Sequence, residues 1–255
     1  MRKLTGSILL AISTLIMVTG CSSSSNKQQG YELENRSPEA LYTEARQAME
    51  LGNFSKAVQT LEVLDSRYPF GPHRTQVQLD LIFAYYKMDN TANALANIDR
   101  FIRLNPTHKD IDYVYYMRGL ANMQADYYLF HNMLGIDRSD RDPSAAIAAF
   151  RDFEQLVQQY PASQYAADSQ LRMRFLKNRL ARYELDIAEY YVTMETWIAA
   201  ANRAQLVLEK FSDTPAAERA LEIMVQSYQA LGQTTLQNNA KAVLAATYPS
   251  NRYAK

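Results

Sequence analysis

Ala45-Arg-Gln-Ala-Met-Glu-Leu-Gly-Asn-Phe-Ser-Lys-Ala-Val-Gln-Thr-Leu-Glu-Val-Leu-Asp-Ser-Arg-Tyr-Pro69 is the stretch whose reading decides the fold. With Pro69 as the closing proline of a unit of about 34 residues, Ala45, Ala48, Gly52, Phe54, Ala57, Leu61 and Leu64 fall on the small and apolar positions of a tetratricopeptide repeat. The spacing has a physical reason. Small residues at the closest crossing let two helix backbones approach, while larger side chains fill the gaps between successive helix pairs. One such pair cannot bury its own apolar face, so further units must stack on it.

The same offsets recur outward along the chain. Counted back from Pro106 they give Ile82, Tyr85, Ala94, Ile98 and Phe101, with Asp89 in place of the turn glycine. From Pro249 they give Val225, Tyr228, Gly232 and Leu244. A fourth unit holds Ala188, Tyr191, Trp197, Ala200 and Ala204, has Glu195 where the glycine belongs, and ends in a displaced Pro215. The remaining unit is split, with Gly119 in its first helix and Ala146, Phe150 and Phe153 in a second that begins at Pro143. An insertion of about 15 residues, judged against the repeat period, separates the two. Pro69, Pro106, Pro161 and Pro249 close helices, and Ser37-Pro38, Asp142-Pro143 and Thr214-Pro215 each place a capping side chain before a proline at a helix start. A longer helix is expected from about Ala166 to Met194, with Leu176, Leu180, Tyr183, Ile187 and Tyr191 as its buried stripe. The fold class read from this pattern is all-α, a tetratricopeptide-repeat superhelix of about five helix-turn-helix repeats.

Composition agrees. Only 8 Gly and 8 Pro occur in 255 residues, with 18 Tyr, and no Asn-Gly or Asp-Gly hairpin signal is present. Basic and acidic residues balance at 27 each, which excludes a nucleic-acid binder working by bulk basicity.

The N-terminus reads as a leader. Arg2 and Lys3 precede an uncharged apolar run from Leu4 to Val18, short for a spanning helix. The run ends in Val18-Thr19-Gly20-Cys21, similar to a bacterial lipobox, and Cys21 is the single cysteine of the chain. Residues 1–20 are therefore expected to be a signal peptide and Cys21 a lipidated residue. Cleavage removes two basic residues and leaves 235 residues with a formal charge of −2. Residues 21–37 read as a lipidated flexible tether, 38–162 as N-terminal repeats one to three, and 163–255 as C-terminal repeats four and five. Ser22 in place of Asp, by resemblance to sorted lipoproteins, favours the outer membrane.

No enzyme constellation is legible. His73, His108 and His131 lack metal-ligand spacing and suit surface or capping roles, so neither a metal nor a cofactor is expected. There is no Gly-x-Ser-x-Gly and no phosphate-cradling loop. The run Asp137-Arg-Ser-Asp-Arg-Asp142 lacks the glycine and distal glutamate of a calcium loop and reads as a self-paired solvated loop.

Function then falls to surfaces. Neighbouring helical residues point about 100° apart, so Tyr85 belongs to the core and Tyr86 to the concave face. The same logic turns Tyr42, Arg46, Phe83, Tyr86, Tyr116 and Met123 toward the groove of the first three units, a lining suited to a peptide with aromatic side chains. The competing reading is that these residues pack between repeats. Arg172-Met-Arg-Phe-Leu-Lys-Asn-Arg-Leu-Ala-Arg182 carries five basic residues and no acid, and its Arg179 and Arg182 are candidates for an acidic partner surface, against a solvated helix face. Arg203, flanked by alanines and with no carboxylate three or four residues away on its own helix, is a candidate partner anchor, against a solvated arginine.

Arg67-Tyr-Pro-Phe-Gly-Pro72, Gln76-Val-Gln-Leu-Asp-Leu81, Asp99-Arg-Phe-Ile-Arg-Leu-Asn-Pro-Thr-His108, Asp112-Tyr-Val, Tyr116-Met-Arg-Gly-Leu120 and Asp137-Arg-Ser-Asp-Arg-Asp-Pro143, with the lipobox and tether, resemble the BamD (ComL) family of lipoproteins of the β-barrel assembly machinery. The resemblance spans essentially the whole mature chain. It implies a non-enzymatic, lipid-anchored scaffold on the periplasmic face of the cell outer membrane. Its C-terminal repeats would dock on the POTRA region of BamA, and its N-terminal repeats would receive unfolded outer-membrane proteins and bind BamC among the other Bam lipoproteins. Two rivals are another lipid-anchored tetratricopeptide adaptor for cell-envelope enzymes and an enzyme with an unrecognised site.

Overall fold

A computed structural model describes residues 36–126 and 142–254. Cys21, the leader, the tether up to Asn35, His131 and the run from Asp137 to Arg141 lie outside the described residues. Ten α-helices occur among those described: α1 (Pro38–Glu50), α2 (Phe54–Arg67), α3 (Arg74–Lys87), α4 (Thr91–Leu104), α5 (Ile111–Asp126), α6 (Ser144–Gln159), α7 (Ala166–Thr193), α8 (Trp197–Phe211), α9 (Ala216–Ala230) and α10 (Thr234–Thr247), followed by a 3₁₀ turn at Arg252–Ala254. Each helix packs on the next described one, and α7 also packs on α9, so five helix-turn-helix units stack in sequence order. The architecture is all-α, and its turns and small-residue crossings are those of a tetratricopeptide array.

The turn inside the first, second, fourth and fifth units is one repeated device. Gly52, Asp89, Glu195 and Gly232 all sit at positive φ, between +53° and +73°. In each case the following residue donates its backbone N–H back across the helix end, as Asn53 does to Ala48 O (2.8 Å), Asn90 to Tyr85 O (3.0 Å), Thr196 to Tyr191 O (2.9 Å) and Gln233 to Tyr228 O (2.8 Å). This closes the last carbonyls of the first helix with a left-handed residue. Asn53 and Asn90 then cap the second helix, their side chains accepting from Lys56 N and Asn93 N.

Between units the prolines act as expected. Helices α2, α4, α6 and α10 stop two residues before Pro69, Pro106, Pro161 and Pro249. The proline occupies the second position of a turn closed by Gly71 N to Tyr68 O, His108 N to Asn105 O, Ser163 N to Tyr160 O and Asn251 N to Tyr248 O. Ser37 caps α1 by accepting from Ala40 N, and Asp142 accepts from Ser144 N at the start of α6. Thr214 departs from expectation. Its hydroxyl donates to Phe211 O and finishes α8 rather than capping α9.

Two apolar clusters fill the interior. The first runs from Leu41 through Leu180 and contains most of the largest fully buried side chains, among them Phe101, Phe153, Ile82 and Leu61. The second, from Ala181 to Ile223, is built mainly of Ala181, Ala188, Ala200, Ala204, Ala216 and Ala220. Gly119 belongs to the first, where a Cβ would stand 2.6 Å from the Phe153 ring. Helix α7 is shared, and its buried row differs from the expected stripe. Leu176 and Leu180 are buried, but the row continues through Ala181, Leu185 and Ala188, leaving Tyr183, Ile187 and Tyr191 half-buried. The helix changes partners from α6 to α8 and α9 along its length, so its core face rotates.

Candidate partner-binding surfaces

The first helices of units one to three, α1, α3 and α5, carry the six residues assigned to the groove. Tyr42, Phe83, Tyr86, Tyr116 and Met123 are all half-buried against the first apolar cluster, and Arg46 is exposed. Tyr85, one residue from Tyr86, is buried, and its hydroxyl donates to Glu62 on α2. The two neighbouring tyrosines therefore face different environments, as a helix requires.

Three of the groove rings, those of Tyr42, Phe83 and Tyr116, and the Met123 thioether also bridge elements. Tyr42 stacks on His73 at 4.4 Å with the planes 10° apart. Phe83 meets Phe54 edge-on at 6.0 Å. Tyr116 stacks on Tyr165 at 4.7 Å and donates its hydroxyl to Asp168 on α7 at 2.7 Å. Met123 Sδ accepts from Arg172 at 3.6 Å. Both readings of these residues thus have a structural basis, because rings that join adjacent units also leave an edge or face open.

Charge inside the groove is concentrated at Asp80 and Asp168. Asp80 is 5% exposed on α3, its Oδ1 accepting from Gln76 Nε2 at 2.9 Å and lying 3.8 Å from Arg46. Burial holds its carboxyl above the usual range, partly offset by Gln76 and Arg46. Burial and the Asp80 charge push the Tyr42 phenol up to about 12. At Asp168 burial raises the carboxyl, but hydrogen bonds from Tyr116 and Arg172 more than offset it and leave it below the usual range. Asp80, His73, Tyr165 and Asp168 escaped the sequence reading. Asp80 had a visible signal, a lone acid inside Val77-Gln-Leu-Asp-Leu81; Tyr165 and Asp168 meet Tyr116 from 49 and 52 residues away, and no local spacing reveals that.

The basic stretch on α7 is not one-signed once folded. Arg172 pairs with Asp168 at 2.5 Å, Lys177 with Asp213 at 2.7 Å, Arg179 with Asp126 at 2.6 Å and Arg182 with Asp186 at 2.7 Å. Arg179 is mostly buried in its pair, whereas Arg182 keeps about half of its side chain exposed. Only Arg174 of the five lacks a carboxylate among the described residues. Arg203 is likewise paired, contrary to its expected freedom: Glu184 of α7 reaches it at 2.7 Å across the helix crossing, while 40% of the arginine side chain stays exposed. His108 takes a turn-stabilising role, its Nδ1 accepting from Asp110 N. No group of acidic, histidine or cysteine side chains suited to a metal ion occurs among the described residues.

The family model described as YfiO, outer membrane lipoprotein, matches residues 34–244. The outer membrane protein assembly factor BamD of Vibrio cholerae is 49% identical over 244 residues, covering 96% of this chain and 98% of that protein. BamD of Neisseria meningitidis serogroup A is 37% identical over 247 residues (96% and 92%), and BamD of Haemophilus influenzae 33% over 246 residues (96% and 91%). A thermophilic TPR protein of Thermus thermophilus overlays 86% of this chain and 97% of its own at 14% identity, with a TM-score of 0.38. With a family match over most of its length and relatives of this identity along nearly all of it, the chain belongs to the YfiO family of outer membrane lipoproteins, the family of the BamD assembly factors.

Proposed function

We propose that this protein is a non-enzymatic scaffold of outer-membrane protein assembly, lipid-anchored through Cys21 at the periplasmic face of the outer membrane. The observation that carries the reading is the full-length match to outer membrane protein assembly factors. No helix among the described residues is long and apolar enough to cross a membrane, and in this reading the acyl chains on Cys21 provide the attachment. The half-open aromatic face of α1, α3 and α5 suits extended chains with aromatic side chains, such as unfolded outer-membrane proteins. The C-terminal repeats, with Arg182 and Arg203 still partly exposed, serve docking on the POTRA region of BamA, and BamC binds the N-terminal repeats. A pull-down of tagged protein from solubilised outer membranes, with the partners identified, tests this. BamA and its associated lipoproteins are expected; recovery of cell-wall enzymes without BamA overturns the reading in favour of an envelope adaptor.

A further inference from the structure

One block of the sequence has no role in the groove or in docking: Arg67-Tyr-Pro-Phe-Gly-Pro72, the loop between α2 and α3. Pro69 and Pro72 fix the backbone on either side of its tip, and Gly71 N donates to Tyr68 O at 2.9 Å to close the turn. A Cβ on Gly71 would stand 3.1 Å from Tyr68 O, so the turn is tight enough to want glycine there. The effect is to project Phe70 outward, 91% exposed, the most exposed of the large apolar side chains described. A rigid turn that presents a phenyl ring to water forgoes the burial that such a side chain normally supplies.

The same loop holds Arg36, the first of the described residues. Tyr68 donates its hydroxyl to Arg36 O at 3.1 Å, so the backbone at Arg36 is tied to the residue two positions before Phe70. Fourteen residues, 22–35, separate Cys21 from Arg36. Whatever their conformation, that length of chain reaches no more than about 50 Å. A lipid on Cys21 therefore confines Arg36 to within that reach of the bilayer and raises the effective concentration of the surface around it there. Charge agrees: Arg67 and Arg74 flank the loop without a carboxylate partner among the described residues. Asp65 is already paired with Arg100 at 2.7 Å, and Glu44 with Arg36 and Lys56. An exposed Arg67 and a half-buried Arg74 beside an exposed aromatic ring fit an anionic lipid surface.

We propose that the Tyr68–Pro72 turn is a membrane-contact element: Phe70 enters the boundary between headgroups and acyl chains, with Arg67 and Arg74 at the phosphates, and so orients the tethered scaffold. The proposal rests on the reading of Cys21 as the lipid-bearing residue. Leu51, 85% exposed at the opposite end of the α1–α2 hairpin, provides the internal control.

The test uses the mature chain from Cys21, coupled through that single cysteine to a maleimide lipid, so that it runs whether or not a cell acylates the residue. Trp197, the one native tryptophan, is replaced by Phe, and Phe70→Trp or Leu51→Trp is introduced. Emission is compared in vesicles of phosphatidylethanolamine and phosphatidylglycerol with and without bromine on the acyl chains. The proposal expects Phe70→Trp to shift to the blue and lose most of its emission to bromine while Leu51→Trp keeps its own. Unquenched emission from Phe70→Trp, or equal quenching at both sites, overturns it. Failure of the anchor reading shows separately, as absence of acyl mass on Cys21 in protein taken from native membranes.

Discussion

The two halves of the array solve the same packing problem with different side chains. From α1 to the middle of α7 the interior is filled mainly by large side chains such as Phe101, Phe153, Leu61, Ile82 and Leu156, with buried small residues such as Ala45, Ala57, Ala94, Ala146 and Gly119 between them. From Ala181 onward alanine supplies most of the buried row, at positions 181, 188, 200, 204, 216 and 220. A large-residue core gains stability from apolar area removed from water. An alanine core gains it from close backbone approach and has little room for change. The first half therefore tolerates open aromatic edges on its inner face, because its stability resides in rings fully inside. The second half sets its helix spacing by alanine and leaves little room for larger side chains.

The sharpest way to break this contrast is a pair of opposite substitutions. Phe153→Ala is expected to cost about 3 to 5 kcal/mol, measured by denaturant unfolding, as a cavity opens beside Gly119. Ala204→Leu should cost about 1 to 3 kcal/mol by overpacking a crossing where alanine is fully buried. An unchanged stability in Ala204→Leu would show that the second half is not close-packed. Within the first half, Tyr85→Ala should destabilise much more than Tyr86→Ala. Tyr85 is buried with its hydroxyl on Glu62, whereas Tyr86 is half-exposed. Equal losses in the melting temperature would merge the core and groove faces that the account separates.

A smaller effect lies in the turns. Glu195 holds φ +53 where Gly52 and Gly232 hold comparable angles without a Cβ, so Glu195→Gly should gain about 1 kcal/mol by relieving left-handed strain. Asp89→Gly should gain less, because Asp89 accepts a hydrogen bond from Gln124 that glycine cannot replace. The smallest effect is a pH dependence. Asp168 is held below the usual carboxylate range, so its contribution is present above the unfolded pKa and fades as pH falls through the folded one. Asp168→Asn should lower the melting temperature slightly at neutral pH, and the difference from the parent should vanish in acid. A difference that persists unchanged would locate the effect in packing with Tyr116 rather than in charge.

Much of the fold was legible because a few positions carry it. The small residues Ala45, Ala57 and Gly119, the glycines at 52 and 232, and the prolines two residues past each helix end are dictated by backbone geometry, and geometry repeats with the period. Glu195 could be placed in the same turn only by that period, since glutamate does not favour a left-handed backbone, whereas aspartate, as at Asp89, tolerates it. What stayed hidden were pairings across helices. Glu184 lies 19 residues from Arg203 and Asp126 lies 53 from Arg179, beyond the reach of any i to i+4 reading. The rotating core face of α7 was missed for a related reason: a helix that changes partners midway has no single apolar period along its length. In the groove, the division between Tyr85 and Tyr86 followed from helix geometry alone, whereas the Tyr116–Asp168–Arg172 connection required the tertiary fold.

The central claim is that the inner aromatic face of α1, α3 and α5 receives unfolded outer-membrane protein while the outer surfaces do not. A photo-crosslinking amino acid placed singly at Tyr42, Tyr86 or Tyr116, and for comparison at the exposed Leu51 or Val243, measures this directly with a radiolabelled unfolded barrel protein as the captured chain. The account predicts crosslinks from the three tyrosine positions and none above background from Leu51 or Val243. Equal yield from all five positions, or capture from Leu51 and Val243 alone, would contradict it.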